Sequence, residues 1–195
     1  MADGGADAFY TGPIASSTIS TLQSANGTMT LSDLASYKIL TREPLSATYR
    51  GHTLHTVGTP ASGAVGIGIL KTMEMYPASD FAADANLTVH RFSEAMRFAY
   101  GARLLLGDPD FVPGVDEVEG LLLSDEGARE RRGRILDDRT QPVEAYDPRE
   151  VYTADGHGTS HFSAVDGEGM ALSVTCTVNL LFGALLMDPS TGVIL

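Results

Sequence analysis

The sequence predicts an α+β fold. Apolar residues recur at helical spacing between residues 62 and 106, and two-residue alternation takes over after residue 158. The chain has 195 residues, 43% of them hydrophobic and 19% charged, so one domain or two small ones can bury an ordinary core.

The elements follow in order. Residues 6–23 read as a helix approach and a helix, opened by Gly12-Pro13, striped by Ile14, Ile19 and Leu22, and ended by Asn26-Gly27. TLSDL predicts a short helix capped by Thr30 or Ser32. Residues 46–57 hold two short β-like runs around Arg50-Gly51, a hairpin pattern. TPASGAVGIGILKTMEMY begins as a turn and becomes a helix near Val65 to Met75. Its glycines match neither dinucleotide nor phosphate-loop spacing, and close helix packing explains them better. Residues 88–106 give the clearest helix, with Thr88 as cap, Phe92, Ala95, Met96, Ala99, Leu104 and Leu105 on one face, and Gly107-Asp108-Pro109 as stop. Within the polar stretch 113–150, DEGARERRGRILDD predicts a solvated helix. RTQPVEAYDPREVYTADGHG lacks periodicity and predicts an exposed, mobile segment. GALLMDPSTGVIL ends on an apolar run that reads as a strand entering a core, and neither end of the chain reads as a natural domain boundary.

Composition excludes some classes of function. A formal net charge of −12 argues against nucleic acid, which needs clustered Lys and Arg. One cysteine, Cys176, allows no disulfide framework and no thiolate metal site within the chain. Its neighbours Val174 and Val178 predict a buried strand position and a quiet core thiol. No apolar run approaches the ~20 residues that span a bilayer, and MADGGADAFY does not read as a signal peptide. The sequons at Asn26 and Asn86 matter only in a secreted protein.

The second half of the chain holds the chemistry. Residues 161–166 and 170–178 alternate around Gly167-Glu168-Gly169, a three-residue hairpin loop. Leu172, Val174, Cys176 and Val178 share one face; Ser173, Thr175 and Thr177 share the other. If Asp166 faces Met170, the same register sets Thr159 opposite Thr177 on one face. A two-residue loop would instead move Thr177 to the other face. Facing threonines in strands commonly just hydrogen-bond to each other. His157 and His161 are four apart, but Gly158 between them disfavours the helix that a metal pair would use, and no metal or cofactor is expected.

HGTSHFSAVD, followed by ALSVTCTVNLLFG and PSTGVIL, resembles the γ-glutamyltransferases (glutathione hydrolases). GADAFYTGPIA, GTMTLSDLASY, TPASGAVGIGIL and HRFSEAMRFAYGARLLLGDPDFV extend the resemblance over nearly the whole chain. The resemblance implies the four-layer αββα sandwich of the N-terminal nucleophile hydrolases, incomplete here. It implies a precursor that cuts itself between Gly158 and Thr159. Residues 1–158 would then be the later part of a large subunit, and 159–195 the start of the small, catalytic one. Thr159 would be the nucleophile, with its freed α-amine, of ordinary pKa about 7.7–8, as base. Thr177 would orient it, and Asn179 would help hold the glutamyl α-amino end; from the residues alone, Asn179 reads as a strand-end turn residue. Ser160 stands where many members carry threonine, and His161 is not expected to act as a base.

The implied substrates are glutathione and other γ-glutamyl compounds, with water, amino acids or dipeptides as acceptors. The family's carboxylate-binding arginine is expected upstream of Met1. The rest of the glutamyl pocket and the oxyanion glycines are expected downstream of Leu195. This sequence is therefore expected to be an internal fragment with little activity of its own. The parent is expected to be extracellular, cell-surface, vacuolar or periplasmic, meeting a membrane only through segments outside this chain. The rival reading is an inactive truncated paralogue that acts as a binding module. A serine or metal hydrolase would need a relay or ligand cluster that the five scattered histidines do not supply.

Overall fold

A computed structural model describes residues 4–147 and 159–195. These residues fall into two compact units. One combines residues 4–40 with 159–195, and the other holds residues 41–147.

In the first unit the expected N-terminal helix is two pieces, α1 (Asp7–Tyr10) and α2 (Gly12–Ser24), because Thr11 between them is extended at φ −134° and ψ 165°. Pro13 lies in the first turn of α2, where its missing N–H costs nothing. Ala15, Thr18 and Ile19 form its buried face. Asn26, at φ 64°, turns the chain out of the helix, and the Gly27 N–H closes the end on Leu22 O at 2.8 Å. Thr30, rather than Ser32, caps α3 (Leu31–Ser36): its hydroxyl accepts from the Asp33 N–H, and its own N–H donates to Asp33 Oδ2 at 2.8 Å.

Strands β3 (Thr159–Val165) and β4 (Ala171–Thr177) make an antiparallel pair in the expected register. Asp166 Oδ1 accepts the N–H groups of Glu168 and Met170, both at 2.9 Å, and Gly169 takes φ 88° to close the three-residue loop. The expected apolar C-terminal strand is instead a turn. A single bridge pairs Met187 with Ile194, residues 188–192 fold around Asp188, and Leu185, Met187 and Ile194 are exposed. Asp188 is fully buried and accepts from Thr191 Oγ1 (2.7 Å), Ser17 Oγ (2.9 Å) and Ser190 N (3.0 Å).

The second unit opens with the expected hairpin, β1 (Leu45–Tyr49) and β2 (His52–Thr56). Arg50 and Gly51, both at positive φ, form its two-residue turn. Helix α4 (Gly63–Glu74) packs against α6 (Ala85–Arg103), α7 (Val115–Leu123) and α8 (Asp125–Arg134), with α5 (Ala78–Ala83) beside α6. Ala64, Val65, Ile69, Met73, Ala95, Phe98 and Leu122 are among the residues of this core. Gly68 lets α7 approach: a Cβ there would lie 2.8 Å from Leu122 Cδ2. Gly66 faces open space, so the packing reading holds for Gly68 and not for Gly66.

The clearest helix starts earlier than its pattern indicates. Asp84 caps α6 by accepting the Leu87 N–H at 2.9 Å, and Thr88 sits one turn inside, bonded back to Asp84 O. Its buried face contains Arg91, Glu94, Ala95, Phe98 and Ala99, while Phe92 and Met96 are exposed. Glu94 is fully buried and turns the helix toward its polar partners, Tyr146 Oη at 2.5 Å and Thr140 Oγ1 at 3.1 Å. The stretch expected to be loose is therefore moored through residue 147. Tyr146 is buried, its ring centroid is 4.8 Å from that of Phe98, and Arg134 donates to Ala145 O. Residues 148–158 lie outside the described residues.

Helix α8 is not uniformly solvated either. Arg131 is buried, and its guanidinium donates to Thr72 Oγ1 (2.9 Å), Leu122 O (3.0 Å) and Leu121 O (3.2 Å), filling acceptors at the end of α7. Lys71, also buried, bonds Thr48 O at 3.1 Å and pairs with Glu74 and Asp125, both at 2.7 Å.

Two measurements check this packing. Gly68→Ala should lose about 1–3 kcal/mol by overpacking against Leu122, whereas Gly66→Ala should gain about 0.5–1 kcal/mol from helix propensity; urea unfolding separates the two. The Thr191 hydroxyl, with the Ser17 hydroxyl and the Ser190 and Thr191 amides, holds the Asp188 carboxyl below its ordinary value against the opposing effect of burial. A depressed folded pKa gives stability that is present above the unfolded value of about 3.9 and is lost as pH falls through the lower folded one. Asp188→Asn should therefore melt below wild type at pH 7, and the gap should close as pH drops under about 4.

Candidate functional site

The strand pleat sorts the hairpin into two faces. One carries Thr159, His161 and Ser163 opposite Thr177, Thr175 and Ser173. The other carries Ser160, Phe162 and Ala164 opposite Cys176, Val174 and Leu172.

Thr159 heads β3, directly across from Thr177 at the end of β4. The Thr159 hydroxyl donates to Thr177 Oγ1 at 3.2 Å. The same Thr177 oxygen accepts the Asn179 N–H at 2.8 Å. Asn179 has left the strand at φ 71°, a left-handed conformation that Asn tolerates better than most residues. Thr177 is thus held from two sides, by the facing strand and by the turn that follows it. A hydroxyl that donates one hydrogen bond keeps its oxygen lone pairs for another task, so Thr159 Oγ1 is orientated and still able to attack an electrophile. Of the residues singled out in the sequence, Thr159, Thr177 and Asn179 come together, while Gly158 and His157 lie outside the described residues.

The polar face continues down the ladder. His161 Nδ1 lies 2.7 Å from Thr175 Oγ1, and its Nε2 lies 2.9 Å from Ser173 Oγ and 3.3 Å from Ser163 Oγ. Sequence reasoning gave His161 no partners, although the register that pairs 159 with 177 also pairs 161 with 175 and 163 with 173. Among the described residues no group of three or more His, Cys, Asp or Glu side chains is placed to hold a metal ion.

The apolar face departs from expectation. Cys176 is exposed, as are Phe162, Leu172 and Val178. Alternation places them correctly on one face, but the sheet has only two strands, and no layer covers that face among the described residues.

All of the chain, residues 1–195, matches the family model described as Gamma-glutamyltranspeptidase. The chain belongs to the gamma-glutamyltranspeptidase family. It is 42% identical over 191 residues to a glutathione hydrolase proenzyme of Arthroderma benhamiae, an alignment covering 98% of this chain and 33% of that protein. Among solved structures, the gamma-glutamyltranspeptidase of Helicobacter pylori matches with a TM-score of 0.65 at 30% identity, over 77% of this chain and 44% of that one. The cephalosporin acylase of Bacillus halodurans matches all of this chain and 33% of its own, with a TM-score of 0.73 at 23% identity, a likeness of fold alone. The fold is accordingly the α+β fold of the N-terminal nucleophile hydrolases, as expected. The chain spans about a third of the length of the curated glutathione hydrolase relatives it matches.

Because Cys176 faces outward, it should react stoichiometrically with a disulfide reagent such as dithionitrobenzoate in the native chain without denaturant. Protection until unfolding would return it to a core.

Proposed function

We propose that this chain is the part of a γ-glutamyltransferase (glutathione hydrolase) that contains the point of self-cleavage, with Thr159 as nucleophile. The observation that carries the reading is the hydrogen bond from Thr159 Oγ1 to Thr177 Oγ1 at the first residue of β3, in a chain of this family.

In the precursor, Thr159 Oγ1 attacks the Gly158 carbonyl carbon. The Gly158–Thr159 C–N bond breaks, the Thr159 nitrogen takes up a proton, and an ester links the Gly158 carbonyl to Thr159 Oγ1. Water hydrolyses that ester, leaving a Gly158 carboxylate and a Thr159 with a free α-amine. Residues 1–158 then end the large subunit, and residues 159–195 begin the small one. The new amine, with an ordinary pKa of about 7.7–8, serves as a general base on the nucleophile's own residue. In the mature enzyme Thr159 Oγ1 attacks the γ-glutamyl amide of glutathione. The amide C–N bond breaks, the leaving amine takes the proton, and the glutamyl group forms an ester with Thr159. Water, an amino acid or a dipeptide then accepts the glutamyl group. Thr177 fixes the rotamer of Thr159 throughout, and Asn179 borders the glutamyl α-amino group. The gene product works outside the cytoplasm, in an extracellular, cell-surface, vacuolar or periplasmic setting.

Mass spectrometry of the purified gene product tests this. A fragment beginning at Thr159 is expected from wild type and none from Thr159→Ala, which should fold normally. Thr177→Val should slow self-cleavage and turnover by about 10²-fold, the cost of a misplaced reacting group. Residues 1–195 expressed alone should turn over at least about 10²-fold more slowly than the gene product, since even one missing oxyanion donor has that effect. A wild-type gene product that stays uncut would favour an inactive binding module instead.

A further inference from the structure

Cleavage before Thr159 would divide the first unit between two chains. Its helices α1 to α3 lie before the cut, and its hairpin and C-terminal turn lie after it, yet they form one compact unit. What bonds one half to the other then matters. Within the turn, Asp188 N donates to Val193 O and Gly192 N to Asp188 O, both at 2.8 Å, so residues 188–193 fold around their own backbone. The Asp188 side chain is fully buried and has no salt-bridge partner among the described residues. Thr191 Oγ1 and Ser190 N supply hydrogen bonds from within the turn. Among the described residues, Ser17 Oγ, from α2 and 171 positions away in sequence, supplies the side-chain hydrogen bond from outside it.

A buried carboxylate must be met by donors, and each donor lost leaves charge unsatisfied. Asp188 therefore depends on α2 for part of its solvation. Ser17 is well placed to give it, next to Thr18 and Ile19 on the buried side of the helix.

We propose that Ser17 and Asp188 form a clasp between the two subunits that self-cleavage produces, joining α2 of the large subunit to the turn at residues 188–193 of the small one. This rests on the self-cleavage reading above. While the chain is intact the contact is intramolecular. Once the backbone is cut, the effective concentration that the covalent tether supplied is gone, and non-covalent contacts, this one among them, hold the subunits together. A charge-assisted hydrogen bond out of water is among the stronger single contacts available for that task.

The test uses the purified gene product after self-cleavage, titrated with urea while size-exclusion chromatography follows subunit separation. Ser17→Ala should raise the dissociation constant about tenfold, the effect of removing one hydrogen bond to a charged group, and lower the urea concentration at which the subunits part. Alanine is the best helix former, so the substitution does not threaten α2. Ser17→Thr, which keeps the hydroxyl, should restore wild-type separation. Ser16→Ala, next to Ser17 but exposed and bonded to Gly12 O within its own helix, should behave as wild type. Cut Ser17→Ala subunits that part at the wild-type urea concentration would overturn the clasp alone. A wild-type product with no fragment starting at Thr159 would remove the cleavage reading, and the clasp with it.

Discussion

Asp166 decides which residue meets which across the β3–β4 hairpin. Its carboxylate takes the N–H groups of Glu168 and Met170, and its own N–H donates to Met170 O at 3.0 Å. These bonds fix the loop at three residues. Because side chains alternate between faces, a slip of one residue would send Thr177 to the face that carries Phe162 and Leu172, away from Thr159. The candidate nucleophile thus owes its neighbour to a carboxylate at the far end of the ladder, together with a glycine free to take positive φ.

The helical unit solves a different problem, that of charge inside a core. Glu94, Arg131 and Lys71 are all buried, and each is met by several partners. Glu94 receives two hydroxyls, Arg131 covers carbonyls at the end of α7, and Lys71 joins a strand carbonyl to two carboxylates. Removing any single partner would leave charge stranded out of water, which is why such groups hold neighbouring elements in one arrangement. Arg131 and Lys71 link α8 to α4 and α7 and α4 to β1, and Glu94 ties α6 to the segment of Thr140 and Tyr146, where apolar contact alone would allow sliding.

Much of this was legible in the sequence where local chemistry is decisive. The β1–β2 turn, the Thr30 cap, Pro13 in its first turn and the Thr159–Thr177 register all follow from spacing and residue type. Some misreadings share a cause: a side chain whose environment is set by distant parts of the chain. Arg131 looks like a solvent-facing charge on a helical wheel, and only Thr72, 59 positions away, reveals otherwise. Cys176 looks like core because its neighbours are apolar, but alternation reports which face a residue occupies and not what covers that face. The ladder around His161 was readable from the register, since its three hydroxyl partners lie on the same face.

The mooring of Tyr146 on Glu94 has a geometric corollary. Twelve residues separate that anchor from the first residue of β3. Pulled taut, such a stretch reaches about 40 Å. Should the backbone part in front of Thr159, the new Gly158 carboxylate can lie no farther than about that distance from Tyr146.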